Sequence, residues 1–222
     1  MVAGAGEPTL RVAVAANFRA TAEALREQIE RAGAGPITLS SASTGVLAAQ
    51  LRSGAPFDLL LAADAERPAA LHDEGFGAGA PVCYAVGQLV LLGADDIEQA
   101  LAAPDQRIAI ANPATAPYGA AAAAVLARDP FAAADHRLLR GANVLQAYQY
   151  FASGAAQLAL VARSLSPDTG LLIPAHWHPR IAQYALISAR STQPERARAF
   201  LDFIGSDAAR PLLAARGYLP CS

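Results

Sequence analysis

The sequence predicts an α/β protein on three observations. Apolar runs of strand length alternate with longer Ala/Leu/Arg/Glu stretches of helical period, as βα units require. The 222 residues are 54% hydrophobic, ample for a packed core. Several strand-like runs also pass directly into helical pattern through Asn, Ser, Thr, Gly or Pro.

In chain order, the apolar run Leu10 to Ala15 reads as a strand and Phe18 to Ala32 as a helix of alternating apolar and charged residues. Strands near Ile37 to Ser40 and Phe57 to Ala62 bracket a helix near Val46 to Ser53. Asp64 then precedes a helix near Pro68 to Glu74, with Pro68 in its first turn. "GAGAP" at 77–81 is a turn, because no strand precedes it and no Lys-Ser/Thr follows. The run Val82 to Leu92 is long for one strand, as is Ile181 to Ser188, so both are expected to pass between two sheets. Between them lie strands near Arg107 to Ala111 and Gln157 to Val161. Helices are placed near Ile97 to Ala102, Gly119 to Arg128 and Val144 to Ala152. The chain finishes with helices near Pro194 to Ile204 and Asp207 to Ala215.

The charge balance narrows function. The net charge is −2, and all 17 basic residues are Arg without a dense cluster, so there is no footprint for nucleic acid. No apolar run approaches the roughly 18 residues of a membrane span. The opening "MVAGAGEP" lacks the regions of a secretory leader. Cys83 and Cys221 have no metal-ligand or CxxC spacing; in an oxidising compartment they pair, and otherwise they are two thiols.

Four junctions carry the chemistry: "VAVAANF", "LSSASTGVL", "IAIANPATAPYGA" and "RGANVLQAY". Each leaves backbone N–H groups free at a helix N-terminus, where partial positive charge and directed donors suit an anion. One such junction is ordinary capping, and Asn17 or Asn143 is a good cap. Four converging at the carboxyl ends of strands would cage an oxyanion without Lys or Arg. Enzyme readings are weaker. "GxSxG" is absent, and no His stands near a nucleophile motif. "HWH" offers His176 and His178 but no third zinc ligand, so a loop around Trp177 is expected. Asp58 and Asp64 flank "FDLLLAAD", and capping by Asp64 is favoured over acid/base work.

These segments, with "GAPFDLLLAADAERPAAL", "YAVGQLVLL" and "GANVLQAYQYFASGAAQLALVA", resemble the molybdate-binding proteins of the ABC-transporter substrate-binding class from Leu10 to Tyr218. The resemblance implies a two-lobed periplasmic binding-protein fold of the second type, each lobe a mostly parallel sheet flanked by helices. It assigns residues 1–84 and 185–222 to one lobe and 85–184 to the other. The implied ligand is molybdate or tungstate, held through its oxygens with no protein-to-metal bond and no cofactor. The implied donors are Ala16 and Asn17, Ser43 and Thr44, and the backbone N–H groups of Tyr118 and Val144. It further implies a monomer that works in the periplasm after loss of a leader and delivers its solute to a membrane permease. Ala16 and Thr44 depart from the usual residues, so another oxyanion or a small carboxylate is the alternative ligand. Ala162 stands where one branch has a ligand-contacting Tyr and takes no role here. Arg19, in the first turn of the first helix, is either a surface residue or an added anion contact.

Overall fold

The computed structural model describes residues 8–134 and 136–221; the segment read for a leader lies outside them. The strands are β1 (Leu10–Ala15), β2 (Ile37–Ala42), β3 (Leu59–Leu61), β4 (Val82–Gly87), β5 (Leu89–Leu92), β6 (Arg107–Ala111), β7 (Arg137–Gly141), β8 (Leu158–Ala162), β9 (Leu171–Leu172) and β10 (Ile181–Ile187). The helices are α1 (Arg19–Arg31), α2 (Thr44–Arg52), α3 (Glu66–Asp73), α4 (Ile97–Ala102), α5 (Pro117–Leu126), α6 (Val144–Ala152), α7 (Pro194–Ile204) and α8 (Arg210–Ala215).

Two five-stranded sheets form, ordered β2-β1-β3-β10-β4 and β7-β6-β8-β5-β9. In each, three parallel strands continue into two antiparallel ones. The sheets are therefore mixed where mostly parallel ones were expected, because β10 and β5 enter their sheets from the opposite end. Both faces of the first sheet are covered. Val12 and Val14 pack with residues of α1 and α7, while Ala13 and Leu60 pack with α2 and α3. Burial on both sides is why these strands read as continuous apolar runs.

The long run Val82–Leu92 does serve both sheets, but it breaks at Gln88 into β4 and β5. Gln88 O accepts from Arg163 N (2.9 Å), one step beyond the Leu89–Ala162 pair, and Gln88 Oε1 from Arg163 Nη1 (2.9 Å), so Gln88 is tied to the second sheet. β10 does not cross: it pairs only with β3 and β4, and the return passage is the loop before Ile181. The expected lobe boundary at 84/85 and 184/185 falls where the β4–β10 register slips, with Gln183 opposite Ala85 and Tyr184 opposite Cys83. This bulge makes Tyr84 the extra residue and bends the strands there. β7 carries Arg137 and Arg140 on the sheet's edge, which kept it from reading as a strand.

Cys83 and Cys221 form a disulfide. His176 and Trp177 lie in a short 3-10 turn, with Trp177 against Phe131 and beneath the Arg128 guanidinium. Among the described residues no group of three His, Cys, Asp or Glu side chains could hold a metal ion, and no helix is long and apolar enough to cross a membrane.

Candidate oxyanion site

All six residues expected at the site are buried between the sheets: Ala16, Asn17, Ser43, Thr44, Tyr118 and Val144 are each at most 4% exposed. Ala16, Ala63, Ala116, Tyr118 and Val144 belong to one contiguous cluster, so junctions from both sheets meet. Hydrogen bonds join the two sides at several points. Gly45 N donates to Thr115 O (2.9 Å), Arg67 Nη2 to Ala114 O (3.0 Å) and Ser164 Oγ to Asn17 O (2.9 Å). The approach is close: a Cβ at Gly45 would lie 3.0 Å from Thr115 O.

Capping is withheld where the site needs donors. Ser43 holds the N-cap position of α2 and Ala116 that of α5, yet neither helix receives a side-chain cap. Asn143 Oδ1 does cap α6, but at Gln146 N (3.0 Å), two residues beyond Val144 N. Among the described residues the backbone N–H groups of Asn17, Ser43, Thr44, Tyr118 and Val144 have no acceptor. Ser43 Oγ is also buried without a partner, a group whose desolvation costs about 1–3 kcal/mol unless something binds it. Thr44 Oγ1 accepts from Ala63 N (3.0 Å), which leaves its own proton to donate. Ala16 N, in contrast, donates to Ala42 O (3.0 Å) and is not a free donor; that N–H continues the β1–β2 ladder.

Asn17 behaves differently from either sequence reading of its side chain. It does not cap α1. Its Nδ2 donates to Gln183 Oε1 (3.0 Å) and to Tyr218 Oη (3.1 Å), while its backbone O accepts from Tyr218 Oη (2.9 Å) and Ser164 Oγ. Both amide protons are thus committed, and the backbone N–H is the donor Asn17 retains. Gln183 links the two sides: Tyr84 Oη donates to its Oε1 (2.9 Å) and its Nε2 donates to Tyr118 Oη (3.2 Å). Sequence reasoning missed Gln183, Tyr84, Tyr218, Ser164 and Arg67. One local signal existed, a Gln inside the apolar strand "IAQYALI".

Full charges are kept paired or distant. Asp64 accepts from Arg67 N (3.0 Å) and from Arg67 Nη1 (2.5 Å), as a cap for α3. Asp58, at the start of β3, accepts from Arg11 N, Ser191 Oγ and Thr192 N, so the two Asp residues have separate structural duties. Arg19 pairs with Glu23 at the surface (3.0 Å). A cavity of about 860 Å³ lies away from the junctions, between α7, α8 and the C-terminal segment, and its lining is mostly apolar. An anion needs converging donors more than volume, so the junctions mark the site.

The three phenols behind the site are held neutral. Burial raises the pKa of Tyr84 and Tyr118 well above the ordinary value, with repulsion from Tyr218 adding to each. Burial also pushes Tyr218 up to about 12, against hydrogen bonds from Ser164 and Asn17 that lower it. Because the folded values exceed those of the unfolded chain, this stability is complete below pH 10, the ordinary phenol value, and is lost as pH rises through the folded values. Urea melts from pH 7 to 11.5 are expected to show flat stability to about pH 9.5 and then a fall.

Arg67 ties the first side to the second through Ala114 O. Arg67→Ala removes the bond to Ala114 O and frees Asp64. Ligand release in stopped flow is expected to quicken about fivefold, as for a partly exposed hydrogen bond of about 1 kcal/mol.

The bacterial extracellular solute-binding protein family matches residues 10–219. The molybdate-binding protein ModA of Azotobacter vinelandii is 36% identical over 94% of this chain and 89% of its own length. Its Rhodobacter capsulatus counterpart is 33% identical over 98% and 90%. The solved structure of the A. vinelandii periplasmic molybdate-binding protein superposes with a TM-score of 0.88 at 32% identity, over 96% of this chain and 100% of that one. The sulfate-binding protein SubI of Mycobacterium tuberculosis, 15% identical, shares the fold with a TM-score of 0.74 over 96% of this chain and 87% of its own.

Proposed function

We propose a function from one premise: this chain belongs to the bacterial extracellular solute-binding protein family, which it matches from residue 10 to residue 219. The solute is molybdate, with tungstate as its near-isostere. The protein captures it in the periplasm as a monomer and delivers it to the membrane permease of an ABC importer, with no chemical step. The similarity to two molybdate-binding proteins supports this ligand.

The observation that carries the reading is the set of five acceptor-free N–H groups and the unpartnered Ser43 hydroxyl, all at buried junctions. Helix N-termini and neutral donors stabilise a dianion without a buried counter-charge. Each charge-assisted hydrogen bond contributes about 1.5–3 kcal/mol net. The same donors discriminate against phosphate, whose proton requires an acceptor. Asp64, the carboxylate beside the junctions, is engaged by Arg67 through both oxygens. Sulfate is smaller, and donors spaced for a larger tetrahedron reach it poorly.

Titration calorimetry with the four anions tests the reading. Saturable one-to-one binding of molybdate and tungstate is expected, with sulfate far weaker and phosphate silent. A flat trace with both molybdate and tungstate removes this ligand assignment.

A further inference from the structure

Tyr218 sits on a C-terminal strap, 217–221, that runs back along the outer edge of β4. Val86 N donates to Leu219 O (2.8 Å) and Leu219 N to Val86 O (2.9 Å), while Cys221 is bonded to Cys83 on the same strand. Arg180 Nη2 donates to Cys221 O (3.1 Å) from the loop before β10. Gly217, at φ 75°, lies so close to Arg163 that a Cβ would fall 2.6 Å from its Cδ. The strap is thus fastened where the chain crosses between the sheets. From it the phenol of Tyr218 reaches inward to bond both the carbonyl and the amide of Asn17, with Phe18 edge-on to its ring at 5.2 Å.

We propose that this strap is a positioning element for the oxyanion site, and that the Cys83–Cys221 disulfide sets oxyanion affinity through Tyr218. The inference rests on the proposed function above and adds a residue to it. Without the disulfide the strap beyond Tyr218 keeps one pair of backbone hydrogen bonds and the Arg180 bond to Cys221 O, and a segment held so lightly frays. Tyr218 then leaves Asn17 part of the time, and the Asn17 N–H loses its fixed aim at the ligand. Preorganised donors bind more tightly than donors that must be ordered on binding. A purely structural disulfide acts mainly by restricting the unfolded chain, which leaves the affinity of the folded protein unchanged.

The test is calorimetric titration with molybdate of the parent, the Cys83→Ser/Cys221→Ser pair, Tyr218→Phe and the triple variant, at a temperature where all are folded. The serine pair and Tyr218→Phe are each expected to weaken binding about five- to twentyfold, and the triple variant no further, because both routes end on one contact. Parent-like affinity in the serine pair, or losses that multiply in the triple variant, overturns the proposal. If the serine pair does not fold, Tyr218→Phe alone decides, since it keeps the ring and the disulfide: unchanged affinity rejects the positioning role. If the parent itself gives a flat trace, the ligand assignment fails. The strap is then read by amide hydrogen exchange at Asn17, which is expected to quicken in the serine pair and in Tyr218→Phe; unchanged exchange rejects it.

Discussion

Val144→Pro is expected to weaken molybdate binding by about 10- to 150-fold while the fold stays intact. Val144 is the first residue of α6, the helical position proline tolerates best, because the N–H it lacks has no intrahelical partner there. Asn143 before it is already extended, at φ −150° and ψ 175°, as a residue preceding proline prefers. The substitution therefore removes one N–H and little else. The range follows from about 1.5–3 kcal/mol for a hydrogen bond to a charged group, at about 1.4 kcal/mol per tenfold. Val144→Ala keeps the N–H and serves as control, with affinity expected to stay close to that of the parent. Calorimetry on both variants, with circular dichroism melts alongside, checks the pair; equal losses in the two would assign the effect to the side chain.

Gly87→Ala is expected to be strongly destabilising. A Cβ at Gly87 would lie 1.9 Å from Tyr118 Oη and 2.7 Å from Gln183 Nε2, so the buried phenol has to move. Tyr118 is 1% exposed and its ring has nowhere to swing without displacing the loop that presents its own N–H. Overpacking of this kind costs about 3 kcal/mol, which for a chain of this size lowers Tm by roughly 6–12 °C. Binding should fall with it, because Tyr118 and Gln183 lie directly behind the donors. Tyr118→Phe in the Gly87→Ala background removes the offending oxygen and should recover part of the stability, an interaction that urea melts of the two single variants and the double variant measure. Additive losses would show that Gly87 and Tyr118 do not meet.

These two sites show what the sequence can and cannot say. The junction before α6 was legible because its pattern is local: an Asn in the cap position ahead of a helical pattern leaves free N–H groups at a helix N-terminus. Within the junctions, the resemblance to the molybdate-binding proteins singled out Val144, Ser43, Thr44 and Tyr118, and all four are buried. The function of the Asn17 side chain was not legible, since its partners Gln183 and Tyr218 lie 166 and 201 residues away and leave no local pattern. The bulge that turns Tyr84 and Gln183 inward depends on how β4 pairs with β10, so it too is invisible along the chain. The break at Gln88 and the pairing of the two cysteines follow from the same long-range pairing. Local chemistry marked the junctions; tertiary contacts determine what holds them.

The central claim is that uncharged backbone N–H groups hold the dianion. Amide NMR of the uniformly ¹⁵N-labelled protein, titrated with molybdate, tests it directly. The resonances of Asn17, Ser43, Thr44, Tyr118 and Val144 are predicted to move strongly downfield together and to saturate at one equivalent, with Arg side-chain signals little changed. Molybdate binding that left those five amides in place while shifting the Arg guanidinium resonances would contradict the account.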